Sequence, residues 1–203
     1  PNPGDAGSSL GCIAAHHKRH LKWEHPFLGH NIDGEYPVDA LIKELKENKM
    51  VGVASGRAEF GPRALGNRSL LADPRGEEIK DLVNGIKKRQ KFRPFAPAIL
   101  EEDVHEYFTL PTAVQTTPYM QFTAACTHGK DFPAIIHHDN TSRVQTVRKT
   151  DNPGFHALLT EWKKQTGCPI LLNTSLNIKG QPIVNDRGDG KAFTNKYGVK
   201  VLG

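Results

Sequence analysis

Arginine and glycine are interspersed in one short segment of the chain, and this combination favours a binding site for an oxyanion. Residues 56–69, GRAEFGPRALGNRS, hold Arg57, Arg63 and Arg68 among three glycines. Glycine lets the backbone approach a ligand closely, because it has no Cβ and adopts positive φ readily. The guanidinium group presents paired N–H donors that match the oxygens of a phosphate.

An ordinary surface loop is the alternative interpretation of this segment. Its arginines would then pair with neighbouring carboxylates, and many surface ion pairs of this kind carry no function. The acidic residues near enough in sequence are Glu59, Asp73 and Glu77. Spacing alone does not separate the two interpretations.

A second basic cluster lies in residues 86–100, IKKRQKFRPFAPAIL. Five basic residues crowd into seven positions, namely Lys87, Lys88, Arg89, Lys91 and Arg93. Such crowding of like charges is costly unless an anion or carboxylates offset it. Pro94 and Pro97 restrict the backbone that follows, which helps to hold Arg93 in one direction. The alternative is a set of cations at a helix C-terminus, which explains the lysines better than it explains Arg93.

A third cluster of polar side chains follows an apolar run at residues 169–172. It reads Asn173-Thr174-Ser175-Leu176-Asn177, with Gly180 shortly after. Hydroxyl and amide groups at the end of a strand can donate hydrogen bonds to a phosphate or to a ribose. The alternative is an Asx or Ser turn that caps a helix, and this motif by itself is weak.

Local periodicity predicts the elements that must position these clusters. Two apolar faces have the spacing of an amphipathic helix: Val38, Leu41, Ile42 and Leu45, then Ile79, Leu82, Val83 and Ile86. Helices are predicted over 38–49, 77–88 and 155–166, the last of them ending at Gly167, and a small-residue helix over 8–15. Strands are predicted over 50–54, 95–100, 142–147 and 169–172. Since helices and strands alternate, the fold class is α/β or α+β.

Composition sets broad limits on what the chain can be. Its 203 residues suit one domain with a short additional segment, and 19 Gly and 14 Pro predict long loops. A net charge of +5 suits an anionic ligand such as a nucleotide. Nucleic-acid binders typically have a denser basic stripe than this sequence shows. Three scattered cysteines, no apolar run near 18 residues and no secretory signal predict a cytoplasmic protein with reduced thiols. An initiator Met is absent, so the chain is expected to be a fragment or a processed product.

Four segments together resemble the C-terminal domain of the O-carbamoyltransferase family, which includes the nodulation-factor, tobramycin and cephalosporin carbamoyltransferases. They are GRAEFGPRALGNRSLLADPR, VNGIKKRQKFRPFAPAIL, SRVQTV and PILLNTSLNIKGQPIV, and the resemblance covers about residues 51–184. It implies the YrdC-like fold, a twisted mixed sheet with flanking helices. The K-x-R and S-x-N motifs of YrdC-like domains match Lys87-Lys88-Arg89 and Ser175-Leu176-Asn177.

The resemblance implies an enzyme, a domain that binds carbamoyl phosphate and ATP and forms carbamoyl-adenylate for the O-carbamoylation of a hydroxyl. Mg²⁺ is expected to accompany ATP. Cations would then stabilise the charge that develops on the phosphoryl oxygens. The implied catalytic residues are Arg63, Lys87 and Arg93. The implied substrate- and nucleotide-binding residues are Arg57, Arg63, Lys87, Arg89, Arg93, Arg143, Ser175 and Asn177.

The resemblance also implies how the chain divides into domains. Residues 1–24, with GDAGSSLGCIAAHH, resemble the end of an actin/Hsp70-type carbamoyl-transfer domain, 25–37 would be a linker, and 38–203 would form the YrdC-like domain. Asp5 matches a ligand position for a divalent metal such as iron, whose other ligands would belong to the transfer domain. The nearby pair His16 and His20 is interpreted as coincidental, because no carboxylate or Cys completes a ligand set.

The chain departs from the family pattern in three places, and two alternative functions are considered. Leu176 stands where Phe is common in the family. Asn140 stands where the family has Gly in a D-G-T turn, and residues 186–190 read DRGDG, which puts the last helix in doubt. One alternative is an RNA-binding YrdC-like module, which interleaved aromatic side chains would favour. The other is a threonylcarbamoyl-adenylate synthase, against which the RAEFGPRALG loop argues.

Overall fold

The computed structural model describes residues 5–203, with side chains from residue 7 onward. The helices are α1 (Asp5–His17), α2 (Val38–Asn48), α3 (Glu77–Lys87), α4 (Val104–Tyr107), α5 (Pro153–Thr166) and α6 (Arg187–Tyr197). The strands are β1 (Asn31–Ile32), β2 (Met50–Ala54), β3 (Gly56–Arg57), β4 (Arg68–Ala72), β5 (Ala96–Leu100), β6 (Phe108–Thr109), β7 (Thr123–Cys126), β8 (Thr141–Arg143), β9 (Gln145–Val147), β10 (Ile170–Ser175) and β11 (Val201–Leu202).

A mixed six-stranded sheet, in the order β11-β2-β4-β10-β5-β9, forms the centre of the fold. The pairs at its two edges, β11 with β2 and β5 with β9, are parallel, and the inner pairs are antiparallel. The inner strands β2, β4 and β5 are buried at every residue, and α2 and α5 pack on each other and on this sheet. A smaller sheet has the order β6-β7-β8, and Arg143 is the last residue of β8. The short strands β1 and β3 pair with each other.

The structure confirms the predicted fold class and most of the predicted elements. The helix of small residues lies within α1, and α2, α3, β2 and β5 match their predicted bounds to within one residue. The helix α5 ends as predicted at Gly167, which has φ 71° and donates its N–H to Lys163 O. Leu82 is an exception, because it is 49 % exposed rather than part of the buried face of α3.

The other differences arise from strand pairing between distant segments. The predicted strand 142–147 is two strands, because β8 pairs with β7 whereas β9 pairs with β5 in the main sheet. Residues 68–72, predicted in part as loop, form β4. The strand β10 extends through Ser175, so the first three residues of the third polar cluster belong to it. The last helix is present as α6, where the Asp186 side chain accepts the N–H of Asp189. This is a favourable N-cap.

Residues 25–37 lie against the main domain. Phe27 and Ile32 are buried, and the Tyr36 hydroxyl donates to Gly66 O at 2.8 Å. Burial raises the pKa of Tyr36 well above its ordinary value, and the charge of Glu59 adds to this. Within residues 5–203, no helix combines the length and apolar character needed to cross a membrane.

Candidate anion-binding site

The three clusters singled out in the sequence meet at one cavity of about 120 Å³. Arg63 reaches it from the loop between β3 and β4, Lys87 and Arg89 from the end of α3, and Arg143 from the end of β8. Its other lining residues are Pro62, Ala64, Pro94, Phe95, Ala96, Met120, Asn173, Thr174 and Ser175. Four cationic side chains therefore line the cavity, and none of its lining residues is acidic.

Lys87, the lysine of the K-x-R motif, contacts both polar residues of the S-x-N motif, Ser175 and Asn177. Its ammonium group donates to Ser175 O at 2.7 Å, to Ser175 Oγ at 3.1 Å and to Asn177 Oδ1. The Ser175 hydroxyl in turn donates to Asn177 Oδ1 at 2.8 Å. Burial, and then the charge of Arg89, lower the pKa of Lys87 from its ordinary value to about 8. Three oxygens therefore fix the position of the Lys87 ammonium group. Its lowered pKa means that it loses its charge near pH 8.

The backbone between Lys87 and Arg89 has an unusual conformation. Lys88 ends α3 with φ 47° and ψ 50°, in the left-handed region that residues with a Cβ seldom adopt. Its N–H donates to Gly85 O, and the N–H of Arg89 donates to Asn84 O. The chain therefore turns within one residue. Lys87 and Arg89 both line the cavity, and Lys88 is exposed.

Arg89 is fixed by neutral groups. Its Nε donates to Asn84 Oδ1 at 2.6 Å, its Nη2 donates to Pro94 O at 3.2 Å, and its guanidinium lies 4.1 Å from the ring centre of Phe95. Burial lowers the pKa of Arg89 to about 10, and the charges of Arg93 and Arg143 add to the effect. The fold thus holds a cation beside other cations and supplies no carboxylate to offset it.

Arg143 has no protein partner within the described residues. Its side chain makes no hydrogen bond or ion pair there, and its buried Nε is left unsatisfied. Burial lowers its pKa, and so do the charges of Arg63 and Arg93. Asn140, where the family has Gly, adopts φ 60° in the turn before β8, and its Nδ2 donates to Cys126 O at 2.8 Å. The turn that leads to Arg143 is therefore formed with Asn at this position.

Two of the three acidic residues near the first cluster, Glu59 and Asp73, are engaged elsewhere, which disfavours the surface-loop interpretation. Glu59 Oε1 accepts three backbone N–H groups between residues 65 and 68 and so folds the loop itself. Burial raises the pKa of Glu59, and these backbone hydrogen bonds act in the opposite direction. Asp73 pairs with Arg75 and Lys49. Arg63 makes no hydrogen bond or ion pair with any residue in the described chain.

The remaining site residues named from the sequence are placed less uniformly. Asn177 does not line the cavity, but it contacts Lys87. Arg93 is exposed and is not among the lining residues, yet its charge reaches Arg89 and Arg143. Arg57 lies outside the cavity, where its Nη2 donates to Leu28 O at 2.9 Å. The cavity thus brings together most of the set, with Arg57 apart from it.

Sequence reasoning missed the role of Asn84. Its side chain is buried, accepts from Arg89, and donates to Lys91 O at 3.1 Å and Arg93 O at 2.9 Å. It therefore holds the basic segment in its folded path. The available signal was an asparagine inside the apolar pattern of α3, directly after Val83.

The proposed metal position is not tested by this structure. The side chain of Asp5 lies outside the described residues. In the part of the chain whose side chains are described, no three His, Cys, Asp or Glu residues lie close enough together to hold a metal ion.

The fold and the cavity define the class of protein, a YrdC-like mixed α/β domain built around a cationic pocket. The family model for the Carbamoyltransferase C-terminus matches residues 42–203, and the chain belongs to this family. In structure, it is similar to full-length HypF in its phosphate- and nucleotide-bound form. That similarity has a TM-score of 0.59 at 19 % identity and covers 84 % of this chain and 21 % of HypF.

Two relatives support the same family assignment. The chain is 48 % identical over 143 residues to nodulation protein NolO of Bradyrhizobium diazoefficiens, which covers 69 % of this chain and 26 % of NolO. It is 38 % identical over 165 residues to the 3'-hydroxymethylcephem-O-carbamoyltransferase of Amycolatopsis lactamdurans, which covers 79 % and 30 %. The chain thus spans about a quarter to a third of these relatives.

Proposed function

We propose that the cationic cavity binds carbamoyl phosphate together with the phosphates of ATP, and that the chain is the part of an ATP-dependent carbamoyltransferase that forms carbamoyl-adenylate. The observation that carries this proposal is a cavity lined by Arg63, Lys87, Arg89 and Arg143 with no carboxylate. Bringing four cations together without a counter-charge is unfavourable unless an anion occupies the space between them.

Each cation has a role that its surroundings suit. Arg63 and Arg143 have no protein hydrogen bonds in the described chain, so their donors are available to the oxygens of carbamoyl phosphate and of the triphosphate. Lys87 is positioned by Ser175 and Asn177 and supplies a compact charge to the same oxygens. Ser175 and Asn177 would act on the ligand through Lys87, because their side-chain oxygens accept hydrogen bonds from its ammonium group. Arg93 would extend the positive potential beyond the cavity.

The proposed reaction has two steps. Water displaces phosphate from carbamoyl phosphate and gives carbamate. A carbamate oxygen then attacks the α-phosphorus of ATP, the bond to the β-phosphate oxygen breaks, and carbamoyl-adenylate and pyrophosphate form. Negative charge builds on the phosphoryl oxygens, and positioned cations stabilise that charge.

Mg²⁺ would enter with the nucleotide rather than occupy a preformed protein site. It prefers carboxylate, phosphate and water oxygens, and the cavity lining contains no carboxylate. Phosphate oxygens and water would therefore supply its ligands, and bound Mg²⁺ would contribute further charge neutralisation.

Transfer of the carbamoyl group to a hydroxyl is proposed for a separate domain. The chain corresponds to about a quarter of NolO, and relatives of this family are named for nodulation and for O-carbamoyl transfer to a cephem. We propose that the acceptor is a small molecule or nucleoside, and that the chain works with an N-terminal transfer domain, in cis or in trans, to which Asp5 and a divalent metal such as iron would belong.

An RNA-binding role is less well supported by the site. Proteins that bind single-stranded nucleic acids combine a positively charged groove with aromatic side chains on which the bases stack. Phe95 is buried beneath Arg89, and Phe60 packs against Trp23 at a centroid distance of 6.5 Å. Phe92 is the phenylalanine near the basic segment that is strongly exposed, at 75 %.

The direct test is detection of carbamoyl-AMP by mass spectrometry after incubation with ATP, Mg²⁺ and carbamoyl phosphate. The wild-type chain should form it, and Arg143→Met should reduce its formation strongly. Lys43→Met removes an exposed lysine of α2 that does not line the cavity, and it should act like wild type. A folded wild-type chain that forms no carbamoyl-AMP and binds neither substrate would contradict the proposal.

A further inference from the structure

Asn173 contributes the innermost polar side chain of the cavity. It lies on β10 between β4 and β5, where it pairs with Leu71 and Ala96, and it is 1 % exposed. It shares one face of the strand with Ser175, since side chains two residues apart point to the same side. Asn173 and Ser175 both line the cavity.

The orientation of the Asn173 amide is determined by its neighbours. Its Nδ2 donates to Ala64 O at 3.1 Å and to Gln145 Oε1 at 2.7 Å. Gln145 is oriented in the same way, because its Nε2 donates to Leu65 O at 3.0 Å. The two backbone carbonyl oxygens can only accept, so neither amide can be reversed without losing these bonds. Asn173 Oδ1 therefore points away from Ala64 O and Gln145 Oε1.

That oxygen has no partner in the described structure. Asn173 Oδ1 is buried and receives no hydrogen bond. The other polar oxygens nearby are taken, since Ser175 Oγ and Asn177 Oδ1 both accept from Lys87. The charged groups around the cavity can only donate, and Arg143 Nε is itself a buried donor without an acceptor. A buried acceptor left unsatisfied is costly, and each such group calls for an explanation.

We propose that Asn173 Oδ1 accepts a hydrogen bond from the NH₂ group of the carbamoyl moiety and thereby selects carbamoyl phosphate over other acyl phosphates. This inference rests on the proposed function. A carbamoyl phosphate molecule offers phosphate oxygens to the cations, a carbonyl oxygen to a donor such as Arg143, and N–H groups to Asn173. Acetyl phosphate has the same charge and nearly the same shape, but its methyl group would leave Asn173 Oδ1 unsatisfied.

The decisive comparison uses the wild-type chain and two ligands. Isothermal titration with carbamoyl phosphate and with acetyl phosphate should show at least about a tenfold preference for the former, because sites that bind an N–H group reject analogues without one. Equal affinities, with both ligands bound, would overturn the role of Asn173 while the cationic site stands. If neither ligand binds, the proposed function fails, and this inference fails with it.

A pair of variants separates selectivity from stability. Asn173→Leu keeps the approximate volume but removes the acceptor, so the preference for carbamoyl phosphate should fall towards unity while acetyl phosphate binds no less tightly. Asn67→Leu is the matched control, since Asn67 is also a buried, hydrogen-bonded asparagine but does not line the cavity. It should keep the wild-type preference. A folded Asn173→Leu variant with an unchanged preference would refute the assignment, and if that variant does not fold, the wild-type comparison decides.

Discussion

Arg68 and Arg143 are both guanidinium groups removed from solvent to a large degree, yet the chain treats them in opposite ways. The terminal nitrogens of Arg68 donate to five backbone carbonyl oxygens at 2.9–3.2 Å, those of residues 30, 55, 56, 67 and 185. Burial lowers the pKa of Arg68, and the charge of Glu59 opposes that shift. Within the described residues the buried Nε of both arginines lacks a partner. The terminal nitrogens of Arg143 have no partner in that part of the chain either, and its neighbours Arg63 and Arg93 are cations.

The difference separates an arginine that builds the fold from one that awaits a ligand. A buried charge that the chain itself satisfies adds cohesion, and its removal leaves several groups unpaired. A cation that the chain leaves unsatisfied among like charges is unfavourable, and a bound anion would relieve the repulsion.

Arg68→Met should lower the free energy of unfolding by about 3–5 kcal/mol, because it removes five hydrogen bonds to carbonyl oxygens and the positive charge near the buried Glu59. Urea denaturation followed by circular dichroism measures this change. Arg143→Met is the control and should change the same quantity by less than about 1 kcal/mol. Similar losses in both variants would remove the distinction between the two arginines.

Arg143→Met should weaken carbamoyl phosphate binding by about 1.5–3 kcal/mol, the range for hydrogen bonds to charged groups. Isothermal titration calorimetry gives the affinity directly. The exposed-lysine variant Lys43→Met should bind like wild type. An Arg143→Met variant with undiminished affinity would place the ligand elsewhere.

Affinity for carbamoyl phosphate should fall as the pH rises through about 8, by up to about tenfold per pH unit. The pKa of Lys87 is lowered to about 8, so the ammonium is charged below that pH and increasingly neutral above it. The phosphate group is already ionised above pH 7, because its second pKa is about 6. Lys87→Arg keeps the charge and should flatten the profile between pH 7 and 9.5, and a slope unchanged in that variant would exclude Lys87 as its source.

Arg93→Ala should weaken binding by about 0.5–1 kcal/mol at low salt, and the loss should shrink as salt is added. Arg93 is exposed and acts on the cavity through its charge, which salt screens. Arg57→Ala should change the affinity by less, because Arg57 lies outside the cavity and donates to Leu28 O. Titrations at two salt concentrations measure both, and an equal loss for the two variants would mean that the ligand extends towards β3.

Much of the local structure could be predicted from the sequence, and part of the site as well. Helices α2 and α3 have apolar residues at helical spacing, and Gly167 marks the end of α5. The K-x-R and S-x-N motifs were recognisable as written, and their hydrogen bonds link Lys87 to Ser175 and Asn177. The exposure of Leu82 and the burial of Asn84 were not predictable, because helical spacing alone does not show how far the covered face extends around the helix.

The sequence alone indicated the alternation of helices and strands through local periodicity. The family and the chemical character of the site were predicted from motifs that resemble those of the O-carbamoyltransferases. Tertiary structure alone decided which arginines serve the cavity. Arg63 and Arg68 stand five positions apart in one glycine-rich run, but pairing of β4 with β2 and β10 buries Arg68 among carbonyl oxygens and leaves Arg63 at the cavity. That outcome depends on strands more than 100 residues apart, and only their packing sets the partner of each charge.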